Sequence, residues 1–169
     1  NWFHASKLKF NDQYYLGYKN IASRFLEQPL GMPKDSLIKF NYNISNPYKA
    51  GMGLHYLESY LGGTVLDSAL IKFVKKNKLQ TITASEFTEN LQKSTSKNID
   101  WYTQNFVYED VKTDVSIKKI TRTKDSVFVH LKNKGKLLPV KITALKKKQE
   151  IRSLWTPVFS DSLKVSFSK

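Results

Sequence analysis

The sequence predicts an α+β chain in two parts. Apolar residues recur with a helical period of about 3.6 as far as residue 109, and beyond it the period falls to about 2. With 40% of its 169 residues hydrophobic, the chain has enough apolar surface to bury a core. The expected division is a helical part over residues 1–110 and an antiparallel β part over 111–169.

In the helical part, residues 12–28 place Tyr14, Tyr15, Tyr18, Ile21, Ala22, Phe25 and Leu26 on one stripe. That spacing predicts an amphipathic helix stopped by Pro29, because proline disfavours the helical conformation of its predecessor. The prolines and polar residues between Pro29 and Pro47 predict an irregular or briefly extended connection. A helix follows from Tyr48, apolar round most of its circumference and closed by Gly62-Gly63, whose freedom at positive φ suits a helix C-terminus. Val65, Leu66, Ala69, Leu70, Phe73 and Val74 predict another from about Thr64 to Asn77, with its lysines late, where they favour the helix dipole. Thr83-Ala84-Ser85-Glu86 is a capping box for the next helix, which buries Phe87 and Leu91. Trp101, Tyr102 and Phe106 anchor a last short one.

In the β part, Val115/Ile117, Val127/Val129/Leu131, Leu138/Val140/Ile142 and Leu163/Val165/Phe167 alternate with polar residues, as in half-buried strands. Lys124-Asp125 and Asn133-Lys134-Gly135 supply turns. The expectation is a small antiparallel sandwich.

Composition removes several classes of function. Cysteine is absent, so disulfides and thiolate metal sites are excluded. No apolar run approaches the roughly 18 residues of a membrane span, and no charged-then-apolar leader opens the chain. It opens on NWFHASKLKF rather than on methionine, and the expectation is a sequence that starts inside a longer protein. The formal charge of +14 invites a nucleic-acid reading. Its lysines are scattered, with one dense run at Lys146 to Lys148, so a solvated basic surface is expected and no nucleic-acid partner.

Catalytic signatures are equally sparse. His4, His55 and His130 lie in three separate elements, and no HExxH occurs. His55 and Glu58 share a helix face at i, i+3, a spacing more often found in a surface polar pair than in a metal site. No GxSxG, phosphate loop or dinucleotide fingerprint is present. Tyr48 has two readings. One is a structural tyrosine; the other is a phenol at a helix start, donating a hydrogen bond to a developing oxyanion.

Residues 26–63, LEQPLGMPKDSLIKFNYNISNPYKAGMGLHYLESYLGG, resemble the stretch that follows the zinc-binding helices in gluzincin aminopeptidases. This is the aminopeptidase N-like family, and its bacterial branch in particular. The resemblance rests on Gln28-Pro29 after a helix, Phe40-Asn41-Tyr42, Tyr48-x-x-Gly51, and Leu57-Glu58-x-x-Leu61-Gly62. Residues 81–109 are similar to the family's following segment, with Thr83, Glu86 and Phe87 and then Asp100, Trp101 and further aromatics. One departure is Ala50, where the family pattern has lysine.

The resemblance implies the helical end of a thermolysin-like catalytic domain, followed by a small immunoglobulin-like sandwich. It implies that Tyr48 stabilises the tetrahedral intermediate of peptide hydrolysis opposite a catalytic zinc ion, and that Tyr42 is a weaker candidate lining the same site. Zinc belongs to the intact family enzyme and none is expected on this chain, because HExxH, the later glutamate ligand and the motif gripping a free N-terminus lie upstream of the matched region. The chain is therefore expected to be a C-terminal piece, inactive alone, whose partners are a peptide substrate and the missing N-terminal half of the same protein. Exported bacterial relatives incline the location towards an extracytoplasmic one. The rival readings are a non-catalytic module binding protein or polyanion, and an inactive family member.

Overall fold

The structure is a computed structural model, and it describes Lys9, residues 12–109 and residues 112–168; His4 lies outside the described residues. The chain separates into two compact units, Asn1–Asp110 and Val111–Lys169. Helices make up the first and antiparallel strands the second, so the chain is α+β. No described helix is long and apolar enough to cross a membrane.

Helix α1 covers Asp12–Ser23 and buries Ile21. It stops well short of Pro29, contrary to expectation. Phe25 adopts a left-handed backbone, φ 59°, while the Leu26 N–H bonds the Ile21 carbonyl and the Phe25 N–H that of Ala22. This is a Schellman closure with phenylalanine where glycine is usual. The connection from Pro29, expected to be irregular or briefly extended, is irregular as far as residue 38 and helical from residue 39. A 3-10 turn at Lys34–Ser36 is followed by a π-helical turn, Asn41–Ser45, which runs directly into α2, Asn46–Leu61. Phe40, ahead of that turn, already has helical φ −65° and ψ −45°. Proline inside a helix leaves one i→i−4 bond unmade. The wider π register just before Pro47, with the Asn46 N–H on the Asn41 carbonyl, is one of the ways helices accommodate such a break.

Gly62 and Gly63, at φ 81° and 58°, close α2. Helix α3, Val65–Lys76, buries Leu66, Ala69 and Phe73 and ends on Lys75 and Lys76. Helix α4, Ala84–Lys93, carries the expected capping box: the Thr83 side chain accepts from the Glu86 N–H, and the Glu86 carboxylate accepts from the Thr83 N–H. The Thr83 backbone N–H first, then its hydroxyl, hold Glu86 below its usual pKa. A carboxylate lowered in this way contributes stability above its ordinary range and loses it as pH falls through the lowered value. Thr83→Ala should cost about 1 kcal/mol and remove only the hydroxyl's share of that acid dependence, since alanine keeps the backbone N–H. Urea unfolding at neutral pH and again in acid checks both. Helix α5, Asp100–Tyr102, passes into a second π turn, Thr103–Tyr108, and buries Trp101, Tyr102, Phe106 and Val107.

In the second unit, β1 (Val115–Arg122), β2 (Ser126–Asn133) and β5 (Ser162–Ser168) form one antiparallel sheet in the order β1-β2-β5. Strands β3 (Lys141–Lys146) and β4 (Gln149–Trp155) form a second. Inward residues of both sheets meet around Val129, Leu131, Phe159 and Phe167, joined by Ile142 and Leu154. Leu138 and Val140, expected in a strand, instead lie in the loop before β3. Pro139 has no N–H for a ladder, and Val140 is held by exchange with Thr156, whose Oγ1 accepts from its N–H and whose N–H donates to its carbonyl. Strand β4 was not expected at all. It follows Lys147 and Lys148, a two-residue turn in which both residues have positive φ, 50° and 68°, matching the twist of a type I′ hairpin.

Candidate functional site

Tyr48 is the third residue of α2 and half-buried. Because helical backbone precedes it from residue 39, it does not stand at the free start of a helix, and the expected extended approach is replaced by a continuous helical one. Its ring is seated against α1. Tyr14 meets it edge-on with centroids 5.2 Å apart. Gly17 lies so close beneath that an added Cβ would come within 2.4 Å of two ring atoms. A glycine at this point lets the helix backbone approach the aromatic face. The ring is thus fixed on two sides, and its hydroxyl makes no hydrogen bond among the described residues.

Lys49, the residue after Tyr48, joins a polar cluster centred on the half-buried Gln28. Its Oε1 accepts from the Ile38 N–H at 2.9 Å and from Asn41 Nδ2 at 2.7 Å, while its Nε2 donates to the Ser36 carbonyl. One side chain therefore draws the segment 36–41 back onto the end of the α1 connection. Lys49, next to Tyr48, is fully buried. Its Nζ donates to the Gln28 carbonyl at 3.0 Å and lies 3.7 Å from Glu27 Oε1. An ionised pair is held inside only when its desolvation is offset by such partners. Gln28, Asn41 and the Tyr48-Lys49 dipeptide, separate in sequence, are brought together here. Sequence reasoning missed Lys49, since nothing in a lysine-rich composition marks one lysine as buried. The one available signal was its position beside Tyr48 at a helix start.

The far side of α2 rests on aromatics. Gly53 is closely overlain by Phe106 and Tyr102. Trp101 takes Tyr56 and Tyr60 edge-on at 5.8 and 5.3 Å. Burial pushes the phenols of Tyr56 and Tyr102 up to about 12, so both stay protonated across the neutral range. This packing stiffens the helix that carries Tyr48.

Tyr42 sits in the first π turn and is exposed, with Lys34 Nζ 4.6 Å above its ring. Among the described residues no hydrogen bond or ring contact joins it to Tyr48. His55 Nδ1 and Glu58 Oε2 approach to 3.1 Å on an exposed face of α2, and no group of three or more His, Asp or Glu able to hold a metal exists among the described residues. Chemically, the arrangement offers a phenolic hydroxyl held in a fixed position, with no metal-holding cluster beside it among the described residues.

The chain matches no protein-family model and no curated protein. Among solved structures, one chain superimposes on 71% of it with a TM-score of 0.55 and 17% sequence identity: the crystal structure of Legionella pneumophila aminopeptidase A in complex with aspartic acid. The fold is similar to part of an aminopeptidase. At that identity the likeness concerns the fold alone, and the matched part amounts to 15% of the Legionella chain.

Proposed function

We propose that this chain is the C-terminal part of a zinc-dependent aminopeptidase of the gluzincin type, in which Tyr48 donates a hydrogen bond to the oxyanion of the tetrahedral intermediate. The observation that carries the proposal is the seating of Tyr48: a ring clamped between Tyr14 and Gly17 on a helix braced from behind, with its hydroxyl uncommitted among the described residues. A preorganised donor costs no rearrangement when charge develops, which is where such groups gain their effect. The likeness in fold to an aminopeptidase supports the same reading.

A piece of a larger catalytic domain accounts for another property of the first unit. Tyr15, Leu16, Phe25, Ile38, Phe40 and Tyr42 are all exposed, on the segments that frame Tyr48. Exposed apolar side chains in such number are characteristic of a face that another part of the protein covers. The described residues do not fit a zinc centre, so the metal that a gluzincin peptidase uses would be held by residues outside them. What this chain supplies is orientation and one proton donor. Tyr42 lines the approach to the same site in this proposal, and the substrate is a peptide.

The test is Tyr48→Phe in the full-length parent protein. The ring packing is kept and only the hydroxyl goes, so the variant should fold normally while kcat falls by about 10²–10³ with a much smaller change in KM. Full activity in the variant would remove Tyr48 from the chemistry. Hydrolysis of an aminoacyl-naphthylamide by the isolated 169 residues would contradict the division of labour itself.

A further inference from the structure

The two sheets of the second unit do not cover each other evenly. Ile117, Ile120 and Arg122 of β1 pair with Leu131, Val129 and Val127 of β2, and directly paired residues share a face. Leu131 and Val129 are core, so this face of β1 is directed inwards. A register shift between Ile117 and Lys119 keeps the two isoleucines on one face although they are three positions apart. Nevertheless Ile117 is 58% and Ile120 52% exposed. The opposing sheet has two strands against three, and the space left in front of β1 has a volume of about 540 Å³, within the range of small-molecule sites. Leu145 and Ile151 of the second sheet, 63% and 61% exposed, line it from the other side.

Its charge is polarised. No aspartate or glutamate lines the slot, and its charged side chains are Arg122 and Arg152. Both fall at one end. Arg122 pairs with Val127, which pairs with Phe167, and Arg152 Nη1 donates to the carbonyl of the next residue, Ser168, at 2.6 Å. That bond orients the Arg152 guanidinium and occupies one of its nitrogens, out of five N–H donors in the group. Neither arginine has an acidic partner among the described residues. Beyond them come the row of Ile120 and Val129 and then that of Ile117 and Leu131, so the aliphatic wall reaches about 13 Å from the Arg122 row at a strand rise of roughly 3.3 Å per residue.

We infer that this slot binds an anionic amphiphile, a single-chain aliphatic carboxylate with its head group on Arg122 and Arg152 and its tail along Ile120 and Ile117. Two guanidiniums at one end match a carboxylate by charge-assisted hydrogen bonding. An aliphatic wall running away from them matches the tail, each methylene of which tightens binding several-fold when buried. The site is independent of any peptidase role of the first unit.

Titration of the 169-residue chain, carrying isotope-labelled isoleucine methyls, with decanoate and dodecanoate below micelle formation tests it by NMR. Saturable shifts are expected at Ile117, Ile120, Ile142 and Ile151, with dodecanoate several-fold tighter than decanoate. Arg122→Gln, which breaks no hydrogen bond or ion pair among the described residues, should weaken dodecanoate about tenfold or more and leave dodecan-1-ol unaffected; Arg122→Gln/Arg152→Gln should weaken dodecanoate further. Shifts that fail to saturate, that spread equally to Ile21 and Ile38 in the first unit, or that survive Arg122→Gln at unchanged affinity would overturn the assignment.

Discussion

Lys49→Ala should lower the stability of the helical unit by about 3–5 kcal/mol, the range found when one member of a buried ion pair is removed. The Lys49 side chain is wholly enclosed and Glu27 nearly so, with 9% of its side chain exposed. Truncation leaves the Glu27 carboxylate without its cation, at a position where its Oε1 is buried and accepts no hydrogen bond among the described residues. It also takes the ammonium donor from the Gln28 carbonyl and leaves a void where the enclosed side chain lay. Urea denaturation, followed by helical circular dichroism, measures the loss. A double variant, Glu27→Gln with Lys49→Met, removes both charges at nearly constant volume and should recover most of it, since neutral packing often equals a buried pair in stability. A Lys49→Ala chain as stable as the parent would mean that this pair does not hold the unit together.

Gly135→Ala should be as damaging to the β unit. A Cβ built at Gly135 lies 2.1 Å from the Lys112 carbonyl oxygen and 2.5 Å from the Asp114 nitrogen, both backbone atoms. Neither can rotate out of the way. The same few residues are tied by the Lys134 N–H to the Asp114 carbonyl and the Lys136 N–H to the Lys112 carbonyl. Asn133 braces the loop from inside, its Oδ1 accepting from the Gly135 N–H and its Nδ2 donating to the carbonyls of Lys136 and Phe159. Moving the segment leading into β1 far enough to admit a methyl group breaks several of these bonds at once, those of the buried Asn133 and Lys136 among them. The expected cost exceeds about 4 kcal/mol, a level reached by few single substitutions. Hydrogen exchange should show protection collapsing at the amides of β1 and β2; protection retained there would refute the argument.

Where local sequence and tertiary packing agree, the elements could be read in advance. The four-residue repeat of Leu66, Ala69, Leu70 and Phe73 located α3 to within a residue at each end, with Thr64 and Asn77 as its caps. Thr83 and Glu86 marked α4 because a capping box is a contact between near neighbours. The failures share a cause as well. Phe25 in a left-handed conformation costs energy that only its surroundings can supply, and no glycine announces it. The π turn before Pro47 depends on the packing of the whole helix. Strand β4 begins as QEIRS, with no alternation to read, and it exists because β3 folds back on it through a two-lysine turn. At the candidate site Tyr48 could be singled out by its neighbours in sequence. The clamp of Tyr14 and Gly17, the hub at Gln28 and the burial of Lys49 are long-range facts, and residue type alone gives no hint of them.

The strand order β1-β2-β5 has a kinetic side. The pairs β1-β2 and β3-β4 are hairpins whose partners adjoin in sequence, whereas β5 bonds to β2 across the entire β3-β4 hairpin, Lys132 to Ser162 and Ser126 to Ser168. Local pairings close quickly and distant ones wait on loop-closure entropy. During synthesis β2 therefore emerges with one edge satisfied and the other bare until the last residues of this stretch leave the ribosome. In that interval Val127, Val129 and Leu131 form an open template for a strand from another nascent chain, and the lysines that border them, Lys124 and Lys132, stand as gatekeepers against that encounter.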